Sequence, residues 1–106
     1  MMKLDLDIAL PLYEDYLKAS YGQFIDSDDL SVRYRLEFSQ GRDYIKVIHC
    51  DNYGHRSAHS FIVRKDSAKF KEGDILKAAS WNAPARNFAR GNITEQNYGQ
   101  VTWAGA

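Results

Sequence analysis

The feature of this chain that most constrains its fold is an unbroken alternation of apolar and polar residues over positions 30–38. The apolar residues at every second position are Leu30, Val32, Tyr34, Leu36 and Phe38. Successive side chains of a β-strand point to opposite faces of its sheet, so the pattern predicts a strand that buries one face. Such a strand needs partner strands and a second layer that covers its apolar side.

The residues that follow predict those partner strands. A turn at residues 40–43 leads into residues 44–50, which are rich in β-branched side chains and should form an antiparallel hairpin with the first strand. A second turn at residues 51–54 and a run at residues 56–64 predict a third strand of a meander. After a polar connection, the short apolar segment 75–79 can add a fourth strand.

The N-terminal part predicts a helix over residues 11–21, because its apolar residues recur every three to four positions. Pro11 fits the first turn of such a helix and Gly22 fits its end. Residues 4–10 leave two readings open. They alternate like a short strand, and they can also begin a longer helix with Asp7 as its cap.

A second, short helix is predicted over residues 83–90. Asn82 is a suitable N-cap, Pro84 fits the first helical turn, and Gly91 fits the position just after the end. The polar tail at residues 93–106, with Val101 and Trp103 as its strong apolar anchors, is either an edge strand or a frayed end.

The predicted fold class is therefore α+β. A chain of 106 residues has room for one hydrophobic core, which makes residues 1–106 a single domain. We expect an N-terminal helix packed on a three- to four-stranded antiparallel meander, with the short helix near residues 83–90 after it.

Cysteine content and hydropathy predict the cellular compartment in which the protein works. The single cysteine, Cys50, cannot form an internal disulfide, which fits a reducing environment. Charged residues interrupt every apolar run near the N-terminus, so no signal peptide is expected, and no run approaches the length of a membrane span. We therefore expect a soluble cytoplasmic protein with no membrane partner.

The net charge is zero, but the charges are unevenly distributed along the chain. Residues 1–55 hold six Lys/Arg and ten Asp/Glu, whereas residues 56–90 hold eight Lys/Arg and three Asp/Glu. Such asymmetry favours an anionic partner or self-association into a homo-oligomer. Alternatively, the two parts fold against each other and neutralise one another.

The candidate binding site lies in the basic part of the chain. Arg86 and Arg90, four residues apart on the predicted helix, would project from one face, and Trp81 could stack on a base or a sugar. The candidate ligand-binding residues are Trp81, Arg86, Arg90, Lys77 and Asn92. This set predicts a non-enzymatic protein that binds nucleic acid or a nucleotide.

Other functions remain open from the residues alone. Trp81 can instead fill the core while the arginines pair with the acidic part of the chain. A protein–protein adaptor or an inhibitor of a host enzyme would use exposed Tyr and Trp as anchors. A small enzyme would need a pocket that the sequence does not reveal, so no catalytic residue and no cofactor is assigned.

The histidines do not predict a metal site. With a turn near residues 53–54, His59 lies opposite Ile48 and does not share a face with His49, so at most two ligands converge. Adjacent strand residues point to opposite faces, which also argues against a catalytic pair of Ser60 and His59.

Three segments carry a resemblance to a known group: residues 44–48 (YIKVI), 57–63 (SAHSFIV) and 74–92 (DILKAASWNAPARNFARGN). Over about residues 33–93 the chain resembles a group of small proteins encoded by tailed bacteriophages. The group has no assigned activity, so the resemblance supplies no catalytic residues. It implies an accessory protein that works in the cytoplasm of a bacterial host.

Overall fold

A computed structural model describes residues 4–24, 34–51, 54–102 and 105–106. Within these ranges the chain forms one α-helix and one five-stranded antiparallel sheet, which confirms the α+β class. The elements are α1 (Leu6–Phe24), β1 (Tyr34–Gln40), β2 (Tyr44–Asp51), β3 (Arg56–Val63), β4 (Asp74–Lys77) and β5 (Gly91–Asn92). The predicted strand start at 30–33, the turn residues 52–53 and Trp103 lie outside the described residues.

The N-terminal segment follows the second of its two readings, a long helix. The Asp5 carbonyl accepts the backbone N–H groups of Ile8 at 3.0 Å and Ala9 at 2.8 Å, so α1 begins five residues before the predicted start. Asp7 lies in the first turn, where its charge interacts favourably with the helix dipole. Pro11 therefore lies in the second turn, where its missing N–H removes one helical hydrogen bond.

The five strands are arranged in chain order, β1-β2-β3-β4-β5. The predicted meander of β1, β2 and β3 is confirmed, and β4 forms the predicted fourth strand at residues 74–77. Sequence reasoning did not predict β5, which has only two residues and pairs with β4.

The two faces of the sheet bury different clusters. On the helix-side face, Tyr13 and Leu17 of α1 pack on a core that includes Ile45, Ile62 and Ile75. The opposite face, called the outer face, carries a smaller cluster of Phe61, Val63, Phe70 and Leu76. Because paired residues of neighbouring strands point to the same face, the partner of Phe61 in the register, Lys46, also lies on the outer face.

The short helix predicted at residues 83–90 does not form. Residues 78–90, called the return segment, form an irregular hairpin arm that runs back along β4. The N–H groups of Ala85 and Arg90 donate to the carbonyls of Lys77 and Ile75, each at 2.7 Å. The edge of β4 thus supplies hydrogen-bond partners that helix signals in the sequence cannot anticipate.

The tail is neither an edge strand nor frayed over residues 93–102. Ile93 and Thr94 are buried, and Val101 is fully buried in the core beneath α1. The Tyr16 hydroxyl donates to the Val101 carbonyl at 2.6 Å, and the Tyr16 ring stacks on Tyr98 with 4.3 Å between ring centres. These contacts tie the tail to the helix.

Candidate functional site

Trp81 lies at the tip of the return segment, with 40% of its surface exposed. The Lys46 ammonium is 4.1 Å from the centre of the indole ring, and the Arg56 guanidinium carbon is 5.7 Å from it. Both distances are within the range of cation–π attraction. The tryptophan is therefore a half-exposed aromatic surface flanked by two cations, not a core residue.

The two cations reach Trp81 because of the sheet register. Lys46 pairs with Phe61, and Arg56 pairs with Cys50, four residues after Lys46 on the same strand. Both positions therefore face the outer side of the sheet. Sequence reasoning missed both residues, because a strict two-residue period in β3 places Arg56 on the face opposite Phe61. The register shift between Val47 and Ile48 brings Arg56 to the outer side.

Glu37 orders the outer edge of this surface. Its carboxylate lies 2.7 Å from Arg56 and 3.4 Å from Arg35. Partial desolvation opposes ionisation of Glu37, but the charge and hydrogen bond of Arg56 outweigh it and lower the pKa of this carboxyl. Arg56 is thus held in place and still exposes about half of its side chain.

Two open cavities continue this surface across the outer face. One, of about 350 Å³, includes Arg42, Lys46 and Asn82 in its lining. The other, of about 360 Å³, includes Lys65, Asp66, Phe70 and Arg86. Asp43 and Tyr44 line both. We call Trp81, Lys46, Arg56 and these two cavities the cationic trough, because its cations outnumber its two aspartates.

The two arginines of the predicted site do not converge. Arg86 is exposed and lines the trough, and its backbone carbonyl accepts a hydrogen bond from the Lys69 ammonium. Arg90 is half-buried, lies 4.1 Å above the Phe88 ring and lines a separate cavity of about 330 Å³. Without the helix, the four-residue spacing no longer places the two side chains on one face.

Neither Lys77 nor Asn92 is among the residues that line the two cavities of the cationic trough. Lys77 is exposed but pairs with Ser60, whose hydroxyl faces α1, so it lies on the helix-side face. Asn92 is 4% exposed, and both ends of its side-chain amide are hydrogen-bonded within the protein. Its geometry is that of a structural residue.

A buried polar chain crosses the core between α1 and β3. The His59 Nε2–H donates to the Thr102 carbonyl at 2.7 Å, which leaves Nδ1 to accept from the Ser60 hydroxyl at 2.8 Å. The Tyr13 hydroxyl then donates to Ser60 Oγ at 3.0 Å. We call these three side chains the core triad.

The core triad contradicts the expectation that Ser60 and His59 point apart. Val47 pairs with Ser60 and Ile48 pairs with Ala58, so His59 is the extra residue of a β-bulge. The bulge also brings the His59 ring to 6.4 Å from that of His49. Ser60 is fully buried and cannot reach an external substrate. Among the described residues, no three His, Cys, Asp or Glu side chains are grouped to hold a metal ion.

Burial of His59 predicts acid sensitivity. Desolvation lowers the pKa of His59 below its ordinary value of 6.5, with a further contribution from His49 and opposition from the bond to Thr102. The unfolded chain then binds a proton that the folded state excludes, so the free energy of unfolding should fall as pH drops below about 6.5 and should be level above it. Urea denaturation at about pH 7.5 and about pH 5.5 measures this difference.

The control for this prediction is a matched pair of variants. His59→Gln should reduce the difference between the two pH values, whereas His55→Gln, at an exposed histidine, should preserve it. Equal acid sensitivity in the wild type and His59→Gln would contradict the assignment to His59.

Fold and surface together define a small α+β protein whose sheet displays a cation-flanked tryptophan beside two open cavities. The chain belongs to the Family of unknown function (DUF7717), whose model matches residues 2–106. No curated protein and no solved structure matches the chain. No helix in the described part of the chain has the length and hydropathy that a membrane crossing requires.

Proposed function

We propose that this protein is a non-enzymatic accessory protein that binds single-stranded nucleic acid through the cationic trough. The observation that carries the proposal is the half-exposed Trp81 with Lys46 at 4.1 Å and Arg56 at 5.7 Å. Its setting in this proposal is a bacterial host cytoplasm, as the resemblance to small bacteriophage proteins implies.

Single-stranded nucleic acid matches the chemistry of the trough. An exposed indole face stacks on any unpaired base, and flanking cations contact the phosphates on either side of it. Arg42, Lys65 and Arg86 extend the positive charge along the two cavities, in the manner of a groove that follows a backbone. A duplex hides its base faces, so it would use the cations but not Trp81.

The test is the affinity for a fluorescent single-stranded oligonucleotide of about 12 nucleotides, measured by anisotropy at several salt concentrations. Trp81→Ala should weaken binding roughly tenfold or more, and Trp81→Phe should retain most of the affinity, because base stacking contributes about 1–3 kcal/mol. Lys46→Ala/Arg56→Ala should also weaken binding and should lower the salt slope by about 1.4, since each phosphate contact contributes about 0.7.

Lys77→Ala is the matched control, because it removes an exposed cation from the other face of the sheet. It should leave both affinity and salt slope nearly unchanged. An equal loss per cation removed, half as large for Lys77→Ala as for Lys46→Ala/Arg56→Ala, would indicate general charge attraction without a site. An affinity for the oligonucleotide that is unchanged in Trp81→Ala would contradict the stacking role.

A second candidate function, an adaptor for a host protein, is supported by Phe88. Its side chain is 54% exposed and lines the cavity that also contains Ala89, Arg90 and Val101. An exposed aromatic next to an arginine is typical of an anchor in a protein interface. Phe88→Ala separates the two functions, because it should leave oligonucleotide binding intact.

A further inference from the structure

The first strand of the sheet, β1, has a free edge in the described part of the chain. It is the outermost of the five strands and pairs with β2 on one side, and no described strand pairs with its other side. Alternate residues of this seven-residue strand direct their N–H and carbonyl groups to that side, and no strand within the described ranges pairs with them. Such an edge is a template for another strand.

The sequence of β1 is complementary to itself in one antiparallel register. When two copies pair with Leu36 opposite Leu36, Arg35 of each copy lies opposite Glu37 of the other. Registers centred on Arg35 or on Glu37 instead place two like charges directly opposite each other, which is destabilising. The charges thus favour the register centred on Leu36.

The two charged side chains are available for this pairing. Arg35 exposes 73% of its side chain and Glu37 exposes 36%. Glu37 already contacts Arg56 at 2.7 Å, but a carboxylate has about four acceptor sites and can bind a second guanidinium. The contact between Arg35 and Glu37 within one chain is long, at 3.4 Å, and exposed, so little is lost when Arg35 turns to a partner.

We propose that two copies of this chain form a two-fold dimer by antiparallel pairing of β1 with β1, centred on Leu36. The sheet becomes continuous across the two copies, with both α1 helices on one side. Paired residues of adjacent strands share a face, so both outer faces also lie on one side. If the proposed function holds, one nucleic-acid strand can contact both troughs, but the dimer itself does not depend on that function.

The test uses charge-swapped variants and sedimentation equilibrium without nucleic acid. Arg35→Glu and Glu37→Arg should each weaken the homodimer roughly tenfold, because each places like charges opposite one another twice. An equimolar mixture of the two variants restores every opposite-charge pair and should recover the wild-type dissociation constant within about threefold. The double variant Arg35→Glu/Glu37→Arg should do the same.

A second measurement guards against variants that fold poorly. In a Cys50→Ala background, which removes the thiol that pairs with position 35 inside the chain, Arg35→Cys and Glu37→Cys place thiols opposite one another in a mixed dimer but not in either homodimer. The mixture should therefore form intermolecular disulfides faster than either variant alone. The wild type staying monomeric at about 1 mM would overturn the proposal. Dimerisation that is insensitive to both charge swaps, or equal cross-linking in all three samples, would overturn it as well.

Discussion

Replacing Asn92 with alanine should lower the free energy of unfolding by about 3 kcal/mol. Its side-chain oxygen accepts the N–H groups of Thr94 at 2.9 Å and Glu95 at 3.2 Å. Its side-chain nitrogen donates to the Glu72 carbonyl at 3.0 Å and to Asp74 Oδ1 at 2.9 Å. Alanine would leave several of these groups unpaired in a site that is 4% exposed, and each such group carries a desolvation cost.

Urea denaturation followed by circular dichroism measures this loss. Asn87→Ala is the matched control, because Asn87 is exposed and its oxygen accepts the N–H of the next residue, Phe88, at 2.9 Å. It should cost less than about 1 kcal/mol. A loss below about 1 kcal/mol for Asn92→Ala would show that the hydrogen bonds at this position are not structural.

The same variant separates a structural role from a binding role. At a temperature where Asn92→Ala is folded, it should bind the oligonucleotide with nearly wild-type affinity, because the side chain is buried and its amide is hydrogen-bonded within the protein. A loss of affinity as large as that of Trp81→Ala would show that Asn92 contributes to ligand binding, as the sequence predicted.

The parts of the fold that could be predicted are those with a local signal. The alternation predicted over residues 30–38 and the β-branched residues of β2 report burial on one face of a strand, and both strands form in the described residues. The helix at 83–90 failed because its end signals, Asn82, Pro84 and Gly91, serve a hairpin arm equally well. The deciding partner is the edge of β4: Ala85 bonds to Lys77 and Arg90 to Ile75, 8 and 15 positions back along the chain, which is farther than the spacing that helix signals describe.

The candidate site shows the same division. Trp81 could be singled out from composition, and its exposure agrees with a stacking role. Its neighbours Lys46 and Arg56 come from strands 25 or more positions away, so only the sheet register reveals them. Asn92 was predicted to bind ligand because it is close to Arg90 in the sequence. Its actual hydrogen-bond partners, Glu72 and Asp74, lie about 20 positions earlier, at the start of β4.

The β-bulge at His59 marks a further limit of sequence reasoning. A strict two-residue period places Ser60 and His59 on opposite faces, and a single extra residue in β3 brings both side chains to the same side. A bulge reverses which face each later side chain of the strand points to. The sequence of residues 56–63 contains no signal that predicts this bulge. The core triad could therefore not be predicted.

Ser60→Ala should lower the free energy of unfolding by about 2–3 kcal/mol. The substitution removes one oxygen atom and leaves two polar groups without their partner, the Tyr13 hydroxyl and His59 Nδ1. Tyr13 is fully buried and His59 is 5% exposed, so water does not readily replace the serine. Urea denaturation at about pH 7.5, where His59 is neutral, measures the loss without a contribution from its titration.

A double-mutant cycle with Tyr13→Phe tests whether the cost comes from the unpaired groups. Phenylalanine removes the orphaned hydroxyl, so Tyr13→Phe/Ser60→Ala should be less destabilised than the sum of the two single variants, by about 1 kcal/mol. Additive losses would mean that the two side chains stabilise the fold independently. A coupled loss would instead assign the core triad a structural role in joining α1, the bulged strand and the tail, since His59 also donates to the Thr102 carbonyl.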